Sequence, residues 1–256
     1  MNKIRQAFGN GKAFIPFITC GDPDVETTMA CVREMVKSGA DLIELGIPFS
    51  DPTAEGPVIQ GANLRALTGG VTTDRIFDMV RELRKDVAVP MVFMTYANVV
   101  FSYGAERFIS TCAGIGIDGL ILPDLPFEEK EEFLAVCRAH GVALISLIAP
   151  TSANRVAMIA KEAEGFNYLV SSLGVTGVRS SITTDLGPII HTIRENTDVP
   201  CAIGFGISNP EQAKAMAKEA DGVIVGSAIV KLIAQYGKDA AAPVGAFVKE
   251  MKDAVR

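Results

Sequence analysis

Short apolar runs alternate along the chain with longer stretches whose apolar residues recur at helical spacing. The runs are Ala13–Thr19, Leu42–Leu45, Pro90–Met94, Gly119–Leu122, Ala143–Ile148, Tyr168–Ser171, Cys201–Ile203 and Gly222–Val225. Runs this apolar predict strands buried on both faces. Asp24 is placed to cap a helix reaching about Ser38, with Gly39 stopping it. Further helices are predicted from Val58 to about Leu67, over Ala105–Ile115, up to His140, from Ser152 or Asn154, from about Leu186, and over Ala241–Val255. Ser208 and Glu211 have capping-box spacing before another. An additional helix fits Thr73–Lys85, where Ile76, Phe77, Val80 and Leu83 share one face.

Eight uninterrupted strand–helix units predict an α/β fold, a single (β/α)8 TIM barrel with extra helices occupying residues 1–256. The alternative is a doubly wound open sheet, which carries fewer strands and a glycine fingerprint after the first. Here the glycines cluster after the sixth, seventh and eighth runs.

One residue breaks the apolar pattern. Glu44 sits near the C-terminal end of the second run, where a barrel carries its chemistry. A carboxylate in such a strand needs a partner, a raised pKa or a chemical task. Glu55, eleven residues on, lies in a loop able to fold back over it. Apart from Arg179, no Lys or Arg lies near the C-terminal end of a predicted strand, so neither a paired Glu44 nor a Schiff-base lysine is expected. His140 and His191 fall on helices and read as structural. What remains is carboxylate-driven proton transfer.

Gly204-Phe205-Gly206 and Gly226-Ser227 follow the seventh and eighth runs, where barrels of this type hold phosphate on backbone N–H groups and a helix N-terminus. Gly174–Gly177 after the sixth run can complete the cup. Phe17, Ile59, Met94, Tyr96, Tyr168 and Phe205 are candidates for an apolar pocket beside it.

Composition narrows the class. The chain has 48% hydrophobic residues, a net charge of -6 and no basic cluster, which argues against nucleic acid. It lacks an apolar run long enough for a membrane span or a signal peptide, so a cytoplasmic location is expected. The five cysteines are widely spaced and suggest neither disulfides nor zinc.

FITCGDP (Phe17–Pro23), IELGIPFSDPTAEGPVIQ (Ile43–Gln60), MTYAN (Met94–Asn98), LGVTG (Leu173–Gly177), GFGIS (Gly204–Ser208) and VGSAIV (Val225–Val230) match, in order and spacing, motifs of one family. On them the chain resembles the tryptophan synthase α-subunit family over essentially its whole length. The resemblance implies a lyase that cleaves indole-3-glycerol phosphate to indole and glyceraldehyde 3-phosphate with no cofactor of its own. It implies Glu44 as acid and base in turn, and Glu55 as the carboxylate on the indole N–H. It puts Phe17, Thr19 and Tyr168 at the substrate, beside the pocket candidates Tyr96 and Phe205, with Thr176 on a closing loop and Gly177, Gly206, Gly226 and Ser227 around the phosphate. It also implies a pyridoxal-phosphate β-subunit dimer as partner in an αββα assembly, faced by Pro48 and Asp51, with Val99–Phe101 offering apolar contact.

One departure stands out. The family usually has Asp where this chain has Glu55, which lengthens the reach by about 1.5 Å. This departure keeps open a second reading, a chain whose main role is to activate its β partner. A third, a different phosphate-binding barrel such as a sugar-phosphate isomerase, would be expected to place catalytic acids or a lysine at other strand ends, which this chain lacks.

Overall fold

The computed structural model describes residues 3–171, 185–204 and 206–256. Its strands are β1 (Ala13–Thr19), β2 (Ile43–Gly46), β3 (Met91–Met94), β4 (Gly119–Ile121), β5 (Ala143–Ile145), β6 (Leu147–Ile148), β7 (Asn167–Val170), β8 (Cys201–Gly204) and β9 (Gly222–Val225). All pair in parallel, in the order β5-β4-β3-β2-β1-β9-β8-β7-β6. The two ends of that order belong to one stretch of chain. β5 pairs with β4, the chain breaks step at Ser146, and β6 pairs with β7. The single fifth strand read from the sequence is thus two pieces, and the switch of neighbour at Ser146 brings the sheet round into a nearly closed barrel.

The helices are α1 (Lys3–Ala7), α2 (Val25–Lys37), α3 (Pro57–Thr68), α4 (Thr73–Leu83), α5 (Ala97–Tyr103) and α6 (Ala105–Ile115). They continue with α7 (Glu131–His140), α8 (Ala153–Lys161), α9 (Gly187–Asn196), α10 (Pro210–Glu219), α11 (Ser227–Tyr236) and α12 (Ala241–Val255). Asp24 caps α2 as expected, accepting from the Thr27 N–H at 2.7 Å. The start of α10 differs from the Ser208–Glu211 reading. Pro210 holds the preceding residue extended, so Asn209 becomes the cap and accepts from the Gln212 N–H. Gln212 reaches back to the Ser208 N–H, at 2.8 Å. α1 and α5 are additions that the hydrophobic pattern did not reveal, each being a short helix of seven residues or fewer.

Alternation along the strands sorts two cores. Phe14, Ile18, Ile43, Leu45, Phe93 and Leu120 face outward and pack against the helices. Ile15, Phe17, Leu42, Val92, Met94, Ile121 and Tyr168 fill the barrel. Ile4 of α1 is fully buried in this inner core, its Cδ1 occupying the space that a Cβ on Gly119 or Gly165 would need. At the same end, Lys252 of α12 bridges Asp41 at 2.7 Å and the Lys12 carbonyl at 2.9 Å. These contacts leave the C-terminal ends of the strands as the place for a cleft.

Candidate active site

Glu44 follows Leu42 by two residues on β2, so strand alternation aims both inward. In register it lies between Phe17 of β1 and Val92 of β3. It is 1% exposed, and burial pushes its pKa up to about 8. Its Oε2 has no hydrogen-bond partner among the described residues. A buried carboxylate so placed is a neutral acid at pH 7. Burial, with the nearby Glu44 charge, also raises the Tyr168 phenol well above its ordinary range.

Glu55 comes from the loop between β2 and α3. Its Oε2 accepts from Asn63 Nδ2 at 2.6 Å, and its carbonyl from Gln60 Nε2 at 2.7 Å. Burial raises its pKa to about 7, against the opposing pull of the Asn63 hydrogen bond. The two acids thus differ: near neutrality Glu44 keeps its proton while Glu55 gives up much of its own.

Both carboxylates line one cleft enclosing about 490 Å³ of non-protein space, part of it open solvent. Phe17, Ile59, Met94, Tyr168 and Ile224 supply its apolar walls. Gly206, Gly226 and Ser227 form the other end. Ser227 is the first residue of α11, whose opening N–H groups have no acceptor within the helix and favour an anion. Gly206 has φ +80, in the left-handed region where glycine is at ease. No Lys or Arg is among the described residues lining the cleft. The arrangement offers a proton donor, an anion and an array of neutral N–H donors around an apolar slot. It suits a flat apolar substrate that carries a phosphate.

Glu44, Glu55, Phe17, Tyr168, Gly206, Gly226 and Ser227 therefore come together as the sequence suggested. Tyr96 does not line the cleft. Its hydroxyl accepts from the Ala54 N–H at 3.1 Å and its ring meets Phe49 at 5.1 Å, so it supports the loop that carries Glu55. Thr19 is buried at the end of β1, in register with Gly46. Thr176, Gly177, Phe205 and Arg179 lie outside the described residues. On the outer side, Pro48 is buried, whereas Asp51 is exposed and Phe101 is 65% exposed.

Three features escaped the sequence reading. Asn63 was not singled out, although a polar residue on the buried stripe of α3, beside Ile59, Ala62 and Ala66, is a usable signal. The expectation of no cation but Arg179 near a strand end needs correction. Arg65 of α3 makes two 2.8 Å hydrogen bonds to Asp22, a buried residue just beyond β1, because helix packing brings together residues 43 apart.

Gly46 is the third. A Cβ there would lie 2.5 Å from Phe17 Cζ, and the same ring meets the Cβ position of Gly226 at 3.2 Å. Gly46→Ala is expected to lower stability by about 1–3 kcal/mol in urea unfolding, because the boxed ring has to move. Adding Phe17→Leu to that variant should recover part of the loss. Equal losses in the single and double variants would show that the ring is not the obstacle.

Among the described residues no group of three or more His, Cys, Asp or Glu is placed to hold a metal, and no helix is long and apolar enough to cross a membrane. All five cysteines are buried and free.

Comparison with known proteins gives a consistent picture. The family model described as "Tryptophan synthase alpha chain" matches residues 4–256. The tryptophan synthase alpha chain of Lacticaseibacillus casei is 50% identical over 255 residues, covering 100% of this chain and 96% of the relative. Among solved structures, tryptophan synthase subunit alpha from Legionella pneumophila superposes with a TM-score of 0.88 at 38% identity, covering 100% of this chain and 98% of that one. A chain of the tryptophan synthase complex from Pyrococcus furiosus gives 0.86 at 34% identity, covering 95% and 99%. With the barrel, its two carboxylates and a family match over nearly every residue, this chain belongs to the tryptophan synthase alpha chain family.

Proposed function

We propose that the chain, as one catalytic domain, cleaves indole-3-glycerol phosphate to indole and glyceraldehyde 3-phosphate. The observation that carries this reading is the pairing of a buried Glu44, protonated near neutrality, with Glu55 in one apolar cleft that ends on the N-terminus of α11. The phosphate sits on the N–H groups around Gly206, Gly226 and Ser227, and the family motif assigns Gly177 the same role. The indole lies against Phe17 and Tyr168, with Thr19 and Tyr96 behind them, and Phe205 is assigned to the same apolar contact.

Glu44 gives its proton to indole C3, which makes that carbon a leaving group. Positive charge appears on the ring nitrogen, and the Glu55 carboxylate holds the N–H and stabilises the charge. The Glu44 carboxylate then takes the proton of the glycerol hydroxyl as the carbon–carbon bond breaks. The electron pair of that bond returns to the indole ring and the hydroxyl carbon becomes the aldehyde. The proton count closes, with Glu44 protonated again, and no cofactor enters in this chain.

The family's membership in two-subunit synthases supports a β subunit as partner. We assign that partner the pyridoxal phosphate, a place in an αββα assembly in the cytoplasm, and contact with the loop of Pro48 and Asp51; Thr176 is assigned to closing the substrate site. The reading of the chain purely as an activator of β is weaker, because Glu55 lines the cleft despite its extra methylene.

The test is indole release from indole-3-glycerol phosphate by the purified chain, alone and with β subunit added. Slow release alone and faster release with β are expected. No release in either condition, with β still activated, would leave a regulatory subunit.

A further inference from the structure

Glu55 does not meet the cleft unaided. Asn63 is 4% exposed and holds Glu55 Oε2 at 2.6 Å. A glutamate side chain has one more rotatable bond than an aspartate. Left free, its carboxylate would sweep a volume larger than the tolerance of a catalytic contact, where about 1 Å of misplacement can cost about 100-fold.

Asn63 is itself fixed. It belongs to the buried stripe of α3, which packs on β1 and on α11. Two residues further along α3, the paired hydrogen bonds from Arg65 to buried Asp22 tie the helix to the loop after β1. The N-terminus of α11 forms one end of the cleft. One pair of packed helices therefore references both ends of the slot, Glu55 through Asn63 and the anion cup through Ser227.

We infer that Asn63 is a positioning residue for the reaction, its amide setting where the longer Glu55 carboxylate stands relative to the anion cup. The inference rests on the lyase reading above. Because the amide donates to the charged form, its loss also drives Glu55 further above its present value of about 7, so less of it is ionised at neutral pH.

The experiment uses the full chain with β subunit and compares wild type, Asn63→Ala, Asn63→Gln, Glu55→Asp and the double variant Glu55→Asp/Asn63→Gln. In Asn63→Ala, kcat for indole release at pH 7 is expected to fall about 10–100-fold with little change in KM. The acid limb of the kcat/KM–pH profile should move to higher pH. The double variant, which returns one methylene to the amide for the one taken from the acid, should exceed either single variant. A carboxyl carbon NMR titration of Glu55, assigned through Glu55→Gln, reports the same contact without turnover and should shift upward in Asn63→Ala.

An unmoved Glu55 titration overturns the inference. So does an unmoved kcat and acid limb, including the case where Asn63→Ala only lowers thermal stability. If wild type itself releases no indole, the lyase reading fails, and the titration alone decides whether Asn63 holds Glu55.

Discussion

Glu44→Gln lowers kcat for indole release by roughly 10²–10⁴-fold, the range general acid–base catalysis contributes. The substitution keeps the shape of the side chain but removes both of its functions. An amide is no acid toward indole C3 and no base toward the glycerol hydroxyl. Glu55 is held by Asn63 for another task, no Lys or Arg lines the cleft among the described residues, and Tyr168 is pushed further from ionisation by its burial. KM should change little, since Glu44 acts on charge that develops only in the transition state. The pH profile gives a second readout. Wild type needs Glu55 ionised and Glu44 protonated, so kcat/KM should form a narrow bell with limbs at about 7 and about 8. The variant should lose the alkaline limb. Turnover within about tenfold of wild type, measured with saturating β, would assign Glu44 a structural role and remove it from the mechanism.

Much of this arrangement is legible in the sequence because it is local. Alternation of Leu42 with Glu44 aims the acid inward. Glycines just beyond two strand ends mark the anion cup without reference to any other element. What stays hidden depends on partners from elsewhere in the chain. Asn63 meets Glu55 only because the chain turns through Gly56 and Pro57 into α3. Phe17 meets Gly46 across two strands, and a glycine spared for a ring looks in sequence like any turn residue. Arg65 reaches Asp22 through the packing of α3 over β1. The step at Ser146 is invisible to periodicity, since both halves of that run are apolar. Asn209 displaced Ser208 as a cap because the constraint imposed by Pro210 acts on its immediate predecessor.

The same buried acid should make the folded chain sensitive to alkali, and Glu44→Gln should remove much of that sensitivity. Burial lifts the Glu44 pKa from an unfolded value of 4.5 to about 8. Between those values the native state holds a proton that the unfolded state has lost, so unfolding releases it and stability falls as pH rises. The contribution is fully present below about pH 4.5, is lost progressively up to about pH 8, and falls no further once both states are ionised. At about 1.4 kcal/mol per pKa unit the wild type loses up to about 5 kcal/mol through this one group. Glu55, with its own pKa raised to about 7 by burial, adds to the loss in the same direction. Glutamine does not titrate, so Glu44→Gln should match wild type near pH 5 and exceed it by several kcal/mol near pH 9. Urea unfolding of both proteins at the two pH values isolates the effect, because every other titrating group cancels in the double difference. A difference between the proteins that is the same at pH 5 and pH 9 would mean that Glu44 ionises freely in the fold. It would then have no proton to give to indole C3 at neutral pH, and the acid in the proposed mechanism would have to be sought elsewhere.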